Sequence, residues 1–171
     1  KQIAYLDVFC IATGFVLRVL AGGFAIRLHE APGAGALPVS GYMLGCTAFL
    51  ALFLGFGKRR HELASETATK QRKALKAYSA RALWWALAFT GFGAVAVYFA
   101  YTFDPRTKAL LGSDYLWVTT LHPLLGVLRF LQLVKGRPKA ESPTEAMLRD
   151  VPFMANLLIW VVEVLYLFWP S

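Results

Sequence analysis

Residues 41–63 read GYMLGCTAFLALFLGFGKRRHEL, and this stretch decides the fold. An apolar run from Gly41 to Phe56 stops, Lys58, Arg59 and Arg60 follow at once, and His61 and Glu62 come next. Such a run crosses hydrocarbon if it is slightly extended or the bilayer is locally thinned, which puts the cluster where a membrane helix meets water. Three cations at that edge are a phosphate-binding candidate; the plainer reading is that they only set topology. Glu62 lies four residues after Lys58 and three after Arg59, so on a continuing helix it faces both cations. It would hold their side chains or a metal ion.

The rest of the chain agrees with a membrane setting. Of 171 residues, 57% are hydrophobic and 15% aromatic. The mean hydropathy is +0.51, which no soluble domain of this size approaches. The net charge of +8 is confined to short segments between apolar runs, and no basic-aromatic module for nucleic acid appears. Lipid headgroups and phosphorylated substrates are the better-fitting anions. Cys10 and Cys46 each sit inside an apolar run and imply neither a disulfide nor a metal site.

Working outward, the sequence predicts an all-α, polytopic bundle of about five spans in a single transmembrane domain covering residues 1–171. The first span, Ile3 to Leu28, carries Asp7 and Arg18, eleven residues or about three turns apart, so they share a face with Gly14 and Gly22. An ionisable group at membrane depth is expected to face a bundle interior or a wet cavity. A Gly/Pro/Ala-rich link, His29 to Ser40, leads to the span from Gly41 to Phe56. Ala64 to Tyr78 reads as a basic amphipathic helix on the membrane surface. The third span runs from Ala80 to Tyr101. The fourth, Tyr115 to Val134, contains His122, Arg129 and Pro123, which is expected to kink it. After a polar link from Lys135 to Asp150, in which Pro143 takes a first helical position, the fifth span runs from Val151 to Trp169.

Basic residues concentrate in the links after spans two and four, which places Lys1, Lys58 and Arg149 on the cytoplasmic side. A polar chamber between the helices is expected to open there. With no initiating Met and a span beginning almost at Lys1, the chain is expected to be part of a longer one.

The order of Lys1, LDVFCIATGFVLRVLAGG, a short link and FLGFGKRRHEL resembles the second half of the UbiA superfamily of intramembrane polyprenyl transferases. More narrowly it is similar to the decaprenyl-phosphate phosphoribosyltransferase branch, a likeness continued by RKALKAY at Arg72 to Tyr78 and LRD at Leu148 to Asp150. The resemblance implies that the spans are helices five to nine of a nine-helix fold around a cytoplasm-facing chamber. It sets KRRHE in the loop where aromatic prenyltransferases of the superfamily carry DxxxD, with Lys58 and Glu62 at the matching positions, and Lys1 at the end of a YxxxK motif.

What the resemblance further implies is transfer of 5-phosphoribosyl from phosphoribosyl pyrophosphate to a polyprenyl phosphate, with magnesium, at the cytoplasmic face of a bacterial inner membrane. Glu62 and Arg18 are then the catalytic candidates, and Lys1, Lys58, Arg59 and Arg60 the phosphate contacts. Asp7, Arg72, Arg149 and Asp150 are further candidates. Glu62 is a possible metal ligand, the main ligands lying in an acidic motif this sequence lacks, so the piece alone is expected to be inactive. The alternatives are an aromatic prenyltransferase acting on a quinone or tetrapyrrole precursor, against which the missing DxxxD counts, and a transporter half or non-catalytic membrane subunit.

Overall fold

A computed structural model of the chain describes residues 5–29, 39–64, 79–111, 114–135 and 143–168. Lys1, Arg72, most of the 29–40 link and all but the first residue of the expected surface helix lie outside the described residues. Seven α-helices are described: α1 Leu6–His29, α2 Gly41–Ala64, α3 Ala80–Phe103, α4 Pro105–Leu111, α5 Leu121–Lys135, α6 Pro143–Arg149 and α7 Val151–Phe168. A 3₁₀ turn over Leu116–Thr120 leads into α5. Helices are the form in which every backbone polar group is satisfied within its own segment, as a bilayer requires. The all-α polytopic expectation is met.

Among the described residues four segments are long and apolar enough to cross a membrane: Leu6–Ile26, Gly41–Leu63, Ala80–Phe103 and Leu116–Lys135. A fifth crossing results if α6 and α7, bent by 75° where they meet at Asp150, act as one span. Two boundaries differ from the sequence reading for physical reasons. The second helix does not stop at Phe56; after Gly57 nothing breaks a helix, and Lys, Arg and Glu carry it on to Ala64. Pro123 falls in the first turn of α5, where its missing N–H breaks no ladder, and the irregularity is the 3₁₀ turn just before it. Pro143 does open a helix, as expected. The link after the third span is itself structured: Asp104 Oδ1 accepts from the Arg106 amide at 2.8 Å and so starts α4.

The core lies toward one end. Val8 of α1, Phe53 and Phe56 of α2, Leu83 and Leu87 of α3, and Val127, Phe130, Leu131 and Val134 of α5 form one buried cluster. These residues come from the start of α1 and α3 and the end of α2 and α5, so these chain neighbours run antiparallel and the cluster packs beneath the KRRHE segment. Two glycines make that packing possible. A Cβ on Gly55 would stand 2.6 Å from Val8 Cγ1, and one on Gly57 would stand 2.6 Å from Phe130 Cζ. Residues 55 and 57 therefore let α1 approach one side of α2 and α5 another, one turn before the cations.

Candidate functional site at the basic end of the bundle

Because α2 continues through the cluster, Arg59 and Glu62 fall on one face, and Arg59 Nη1 donates to Glu62 Oε2 at 2.6 Å. The close approach at Gly55 brings the first turn of α1 alongside, where Arg59 Nη2 forms an ion pair with Asp7. The Asp7 carboxylate also accepts from the Val8 amide at 2.9 Å. Arg59 is thus nearly buried between two carboxylates from different helices, its side chain 12% exposed against 42% for Asp7 and 26% for Glu62. A guanidinium suits this position, since its fork can address two acceptors at once.

Arg60 turns the other way. Its Nη1 donates to the Ala80 carbonyl at 3.2 Å, and its guanidinium carbon lies 5.2 Å from the centre of the Trp84 ring. Trp84 thus serves as a cation–π platform between α2 and α3. The Arg60 Nε is buried without a hydrogen-bond partner. Lys58 is exposed.

A second charged joint lies at the same end. Arg129 of α5 forms a two-pronged bond with Asp150, Nε to Oδ1 at 3.0 Å and Nη2 to Oδ2 at 2.7 Å, and its Nη1 donates to Gln132 at 3.1 Å. Asp150 Oδ1 also accepts from the Phe153 amide at 2.9 Å, capping α7 at the bend. Arg149 pairs with Glu145 on its own helix at 2.7 Å and is otherwise exposed.

Of the residues singled out by sequence, Asp7, Arg59 and Glu62 come together as one cluster, with Lys58 and Arg60 on the adjoining positions of α2. Asp150 joins Arg129 instead. Arg18 is not drawn into either joint: it is exposed on α1, its guanidinium 5.4 Å from the Phe15 ring centre. Gly14 and Gly22, on the same stripe, have open space where a Cβ would stand. Asp7, at the start of this face, is thus paired with α2, whereas for Arg18, Gly14 and Gly22 the expectation that the face lines the bundle interior is not met within the described residues.

Sequence reasoning does not select Arg129; the available signal is that an arginine inside an apolar span needs an anion, and Asp150 is the carboxylate at the matching end of the next helix. Nor does it select the group formed by His122, Asn156 and Glu163, where His122 is nevertheless hydrogen-bonded in the interior, as a plain reading of an intramembrane histidine expects. Between α2, α3, α5 and α7 lies an apolar cavity of about 350 Å³ that reaches from Phe130 and Met147 to His122, Tyr98 and Trp160.

These features define a multi-pass, all-α membrane protein that gathers arginine–carboxylate joints at one end of its bundle. Its likeness is to a particular set of enzymes. Over 94% of the chain it is 30% identical to a decaprenyl-phosphate phosphoribosyltransferase of Mycolicibacterium smegmatis and 26% identical to one of Corynebacterium glutamicum. Over 96% it is 25% identical to one of Mycobacterium tuberculosis. The chain spans about half the length of these curated relatives, 50%, 46% and 51%. No family model matches it. The chain is therefore a relative of the decaprenyl-phosphate phosphoribosyltransferases, the branch its motifs resemble.

Proposed function

We propose that the chain contributes the basic end of a phosphoribosyl-transfer site, at which a polyprenyl phosphate attacks C1 of phosphoribosyl pyrophosphate. The bond between C1 and the pyrophosphate oxygen breaks, a bond from C1 to a phosphate oxygen of the lipid forms, and pyrophosphate leaves. The transition state is oxocarbenium-like, so the protein's work is to position the two anions and offset charge on the leaving group. The observation that carries this reading is the convergence of Lys58, Arg59, Arg60, Glu62 and Asp7 at one rim of a membrane bundle. The names of the curated relatives support it. Loop charge supports placing that rim on the cytoplasmic side of a bacterial inner membrane.

Within this frame the residues divide their work. Lys58, exposed on the last turns of α2, meets phosphate directly. Arg60 supplies fixed positive potential, and Arg59, held by Asp7 and Glu62, sets the geometry of the rim. Glu62 is proposed to act by orienting Arg59. Arg18 is proposed to contact a substrate phosphate from α1. Magnesium belongs to this reading through the resemblance. Asp7 and Glu62 do not fit a cation site as they stand, because the Arg59 guanidinium lies between them and already pairs with an oxygen of each. Among the described residues no group of three or more His, Cys, Asp or Glu side chains converges.

The test is an assay of the full-length protein in detergent with two substrate pairs: phosphoribosyl pyrophosphate with decaprenyl phosphate, and a polyprenyl pyrophosphate with an aromatic acceptor. Pyrophosphate release with the first pair alone is the expected result. Turnover with the second pair alone assigns the chain to aromatic prenyl transfer, and turnover with neither overturns an enzymatic role.

A further inference from the structure

The outer side of α5 carries a groove that the proposed reaction does not use. It encloses about 310 Å³ between α5 and α7. Its α5 wall includes Leu125, Leu128 and Gln132, which are exposed, whereas Val127, Phe130 and Val134 of the same helix are buried in the core. Gly126 is the floor: a Cβ there would stand 3.7 Å from Phe153 Cε2 and 3.9 Å from Asn156 Nδ2, so any longer side chain would rise into the groove. Gly126, Phe153 and Asn156 also line the apolar cavity and form the wall between the two.

The exposed residues of α5 follow one stripe. Leu121, Leu125, Leu128, Gln132 and Lys135 recur at intervals of four and three, the spacing of a single helix face. The stripe is apolar first, then an amide, then an ammonium. Lys135 ends the span Leu116–Lys135. With the rise of an α-helix, Gln132 and Arg129 stand about 4.5 and 9 Å before that edge. A lipid lying against the helix changes in the same order from hydrocarbon to ester to charged head.

The Arg129–Asp150 joint turns its cation toward the groove. The Arg129 side chain is 38% exposed and lines it, while that of Asp150 is 11% exposed and does not. A guanidinium has five N–H groups. The bonds to Asp150 and Gln132 leave one hydrogen on each terminal nitrogen. Gln132 accepts from Arg129 through Oε1, so its amide nitrogen keeps two hydrogens to donate. Lys135 has no carboxylate partner among the described residues. Donors at one end and bare leucine at the other match a phosphate and its chain.

We propose that this groove binds one anionic phospholipid of the bilayer, its phosphate at Arg129, Gln132 and Lys135 and one acyl chain along Leu128, Leu125 and the bare floor at Gly126. The occupant is a bilayer lipid and not the acceptor of the proposed reaction, because the groove opens on the exposed face of α5. The Arg59 cluster belongs to α1 and α2, and the interior cavity lies behind the Gly126 wall. The lipid also braces the bend between α6 and α7. The guanidinium that meets its phosphate holds Asp150, and Asp150 Oδ1 accepts from the Phe153 amide in the first turn of α7.

The test is the Tm of the full-length protein in detergent, titrated separately with phosphatidylglycerol, phosphatidylcholine, decaprenyl phosphate and inorganic phosphate. Phosphatidylglycerol is expected to raise the wild-type Tm by about 2–5 °C more than phosphatidylcholine does. Two variants divide the site: Leu128→Trp fills the chain end from an exposed position, and Gln132→Leu with Lys135→Gln removes head donors without touching the Asp150 joint. Each is expected to lose at least half of that gain. Equal shifts with the two phospholipids, or a gain undiminished in either variant, overturn the proposal. An equal shift with inorganic phosphate shows that no chain is bound, and a larger L128W-sensitive shift with decaprenyl phosphate gives the groove to the substrate; both overturn it. Should L128W fail to accumulate, native mass spectra of the Q132L/K135Q protein decide. Loss of the phosphatidylglycerol that the wild type retains supports the site, and equal retention overturns it.

Discussion

Gly57→Ala tests whether the rim owes its shape to helix packing. In the interior of a helix this change normally stabilises by about 1 kcal/mol, because alanine has less backbone freedom to lose. Here the new Cβ would stand 2.6 Å from Phe130 Cζ and 2.8 Å from Cε1, with Leu87 Cδ1 at 3.7 Å. The ring cannot easily yield. Phe130 is 1% exposed, and its ring centre lies 4.6 Å from that of Phe53, so a shift passes into the middle of the core. Overpacking of this kind costs about 1–3 kcal/mol, enough to cancel the propensity gain and leave a net loss of about 1 kcal/mol. At about 2–4 °C per kcal/mol, the full-length protein should melt a few degrees lower in detergent. Gly14→Ala is the matched control, since its Cβ meets nothing within 4 Å. Because Lys58 to Glu62 follow directly, G57A should also reduce activity beyond what the Tm change explains. A G57A protein as stable and as active as G14A would refute the packing argument.

Other substitutions probe the cations and carboxylates singly. Lys58→Met removes an exposed charge with no packing role, so KM for the phosphorylated donor should rise several-fold while Tm stays within about 1 °C; an unchanged KM would show that Lys58 contacts no substrate. Glu62→Gln is expected to fold but lose most activity, because Arg59 would keep Asp7 alone as a charged partner; activity within a few-fold of wild type in a detergent assay rules out that role. Arg18→Lys keeps the charge but loses the planar fork, so substrate binding should weaken with membrane insertion intact; wild-type kinetics would leave Arg18 to structure.

The membrane spans are legible because hydrocarbon allows few solutions: an apolar run of sufficient length has to be a helix. The Arg59–Glu62 pair is legible for a related reason, as three-residue spacing has one meaning on a helix that does not break. Asp7 illustrates the limit. Its helix face follows from the 3.6-residue period, but its partner depends on how closely α1 approaches α2, and that is set by Gly55 against Val8. The glycines of LGFG give no periodic signal, so their effect is visible only in three dimensions. Arg129 and Asp150 are hidden for the same reason, because 21 residues and a 75° bend separate them. His122 and Glu163 need two spans to be aligned in depth before either has a partner.

The rim assigns different work to three adjacent cations that look equivalent in sequence. Successive helix positions point about 100° apart, so Lys58, Arg59 and Arg60 cannot all face one ligand. Arg59 is turned toward α1, where Asp7, together with Glu62 of its own helix, more than cancels its charge. Arg60 is turned toward α3, and its partners there are a carbonyl and an aromatic face, which hold it in place; among the described residues no carboxylate pairs with it. Lys58 projects from the exposed face. Within the described residues, an anion arriving at this end would therefore meet one mobile ammonium and one fixed guanidinium without a paired carboxylate, on a scaffold tied to α1 through Arg59. Arginine suits the two fixed places, because only its planar fork can bond two acceptors or stack on an indole while bonding a carbonyl; lysine suits the mobile one. The triplet combines scaffold and field in one turn of helix, and a conservative exchange at each of its positions would disturb a different function.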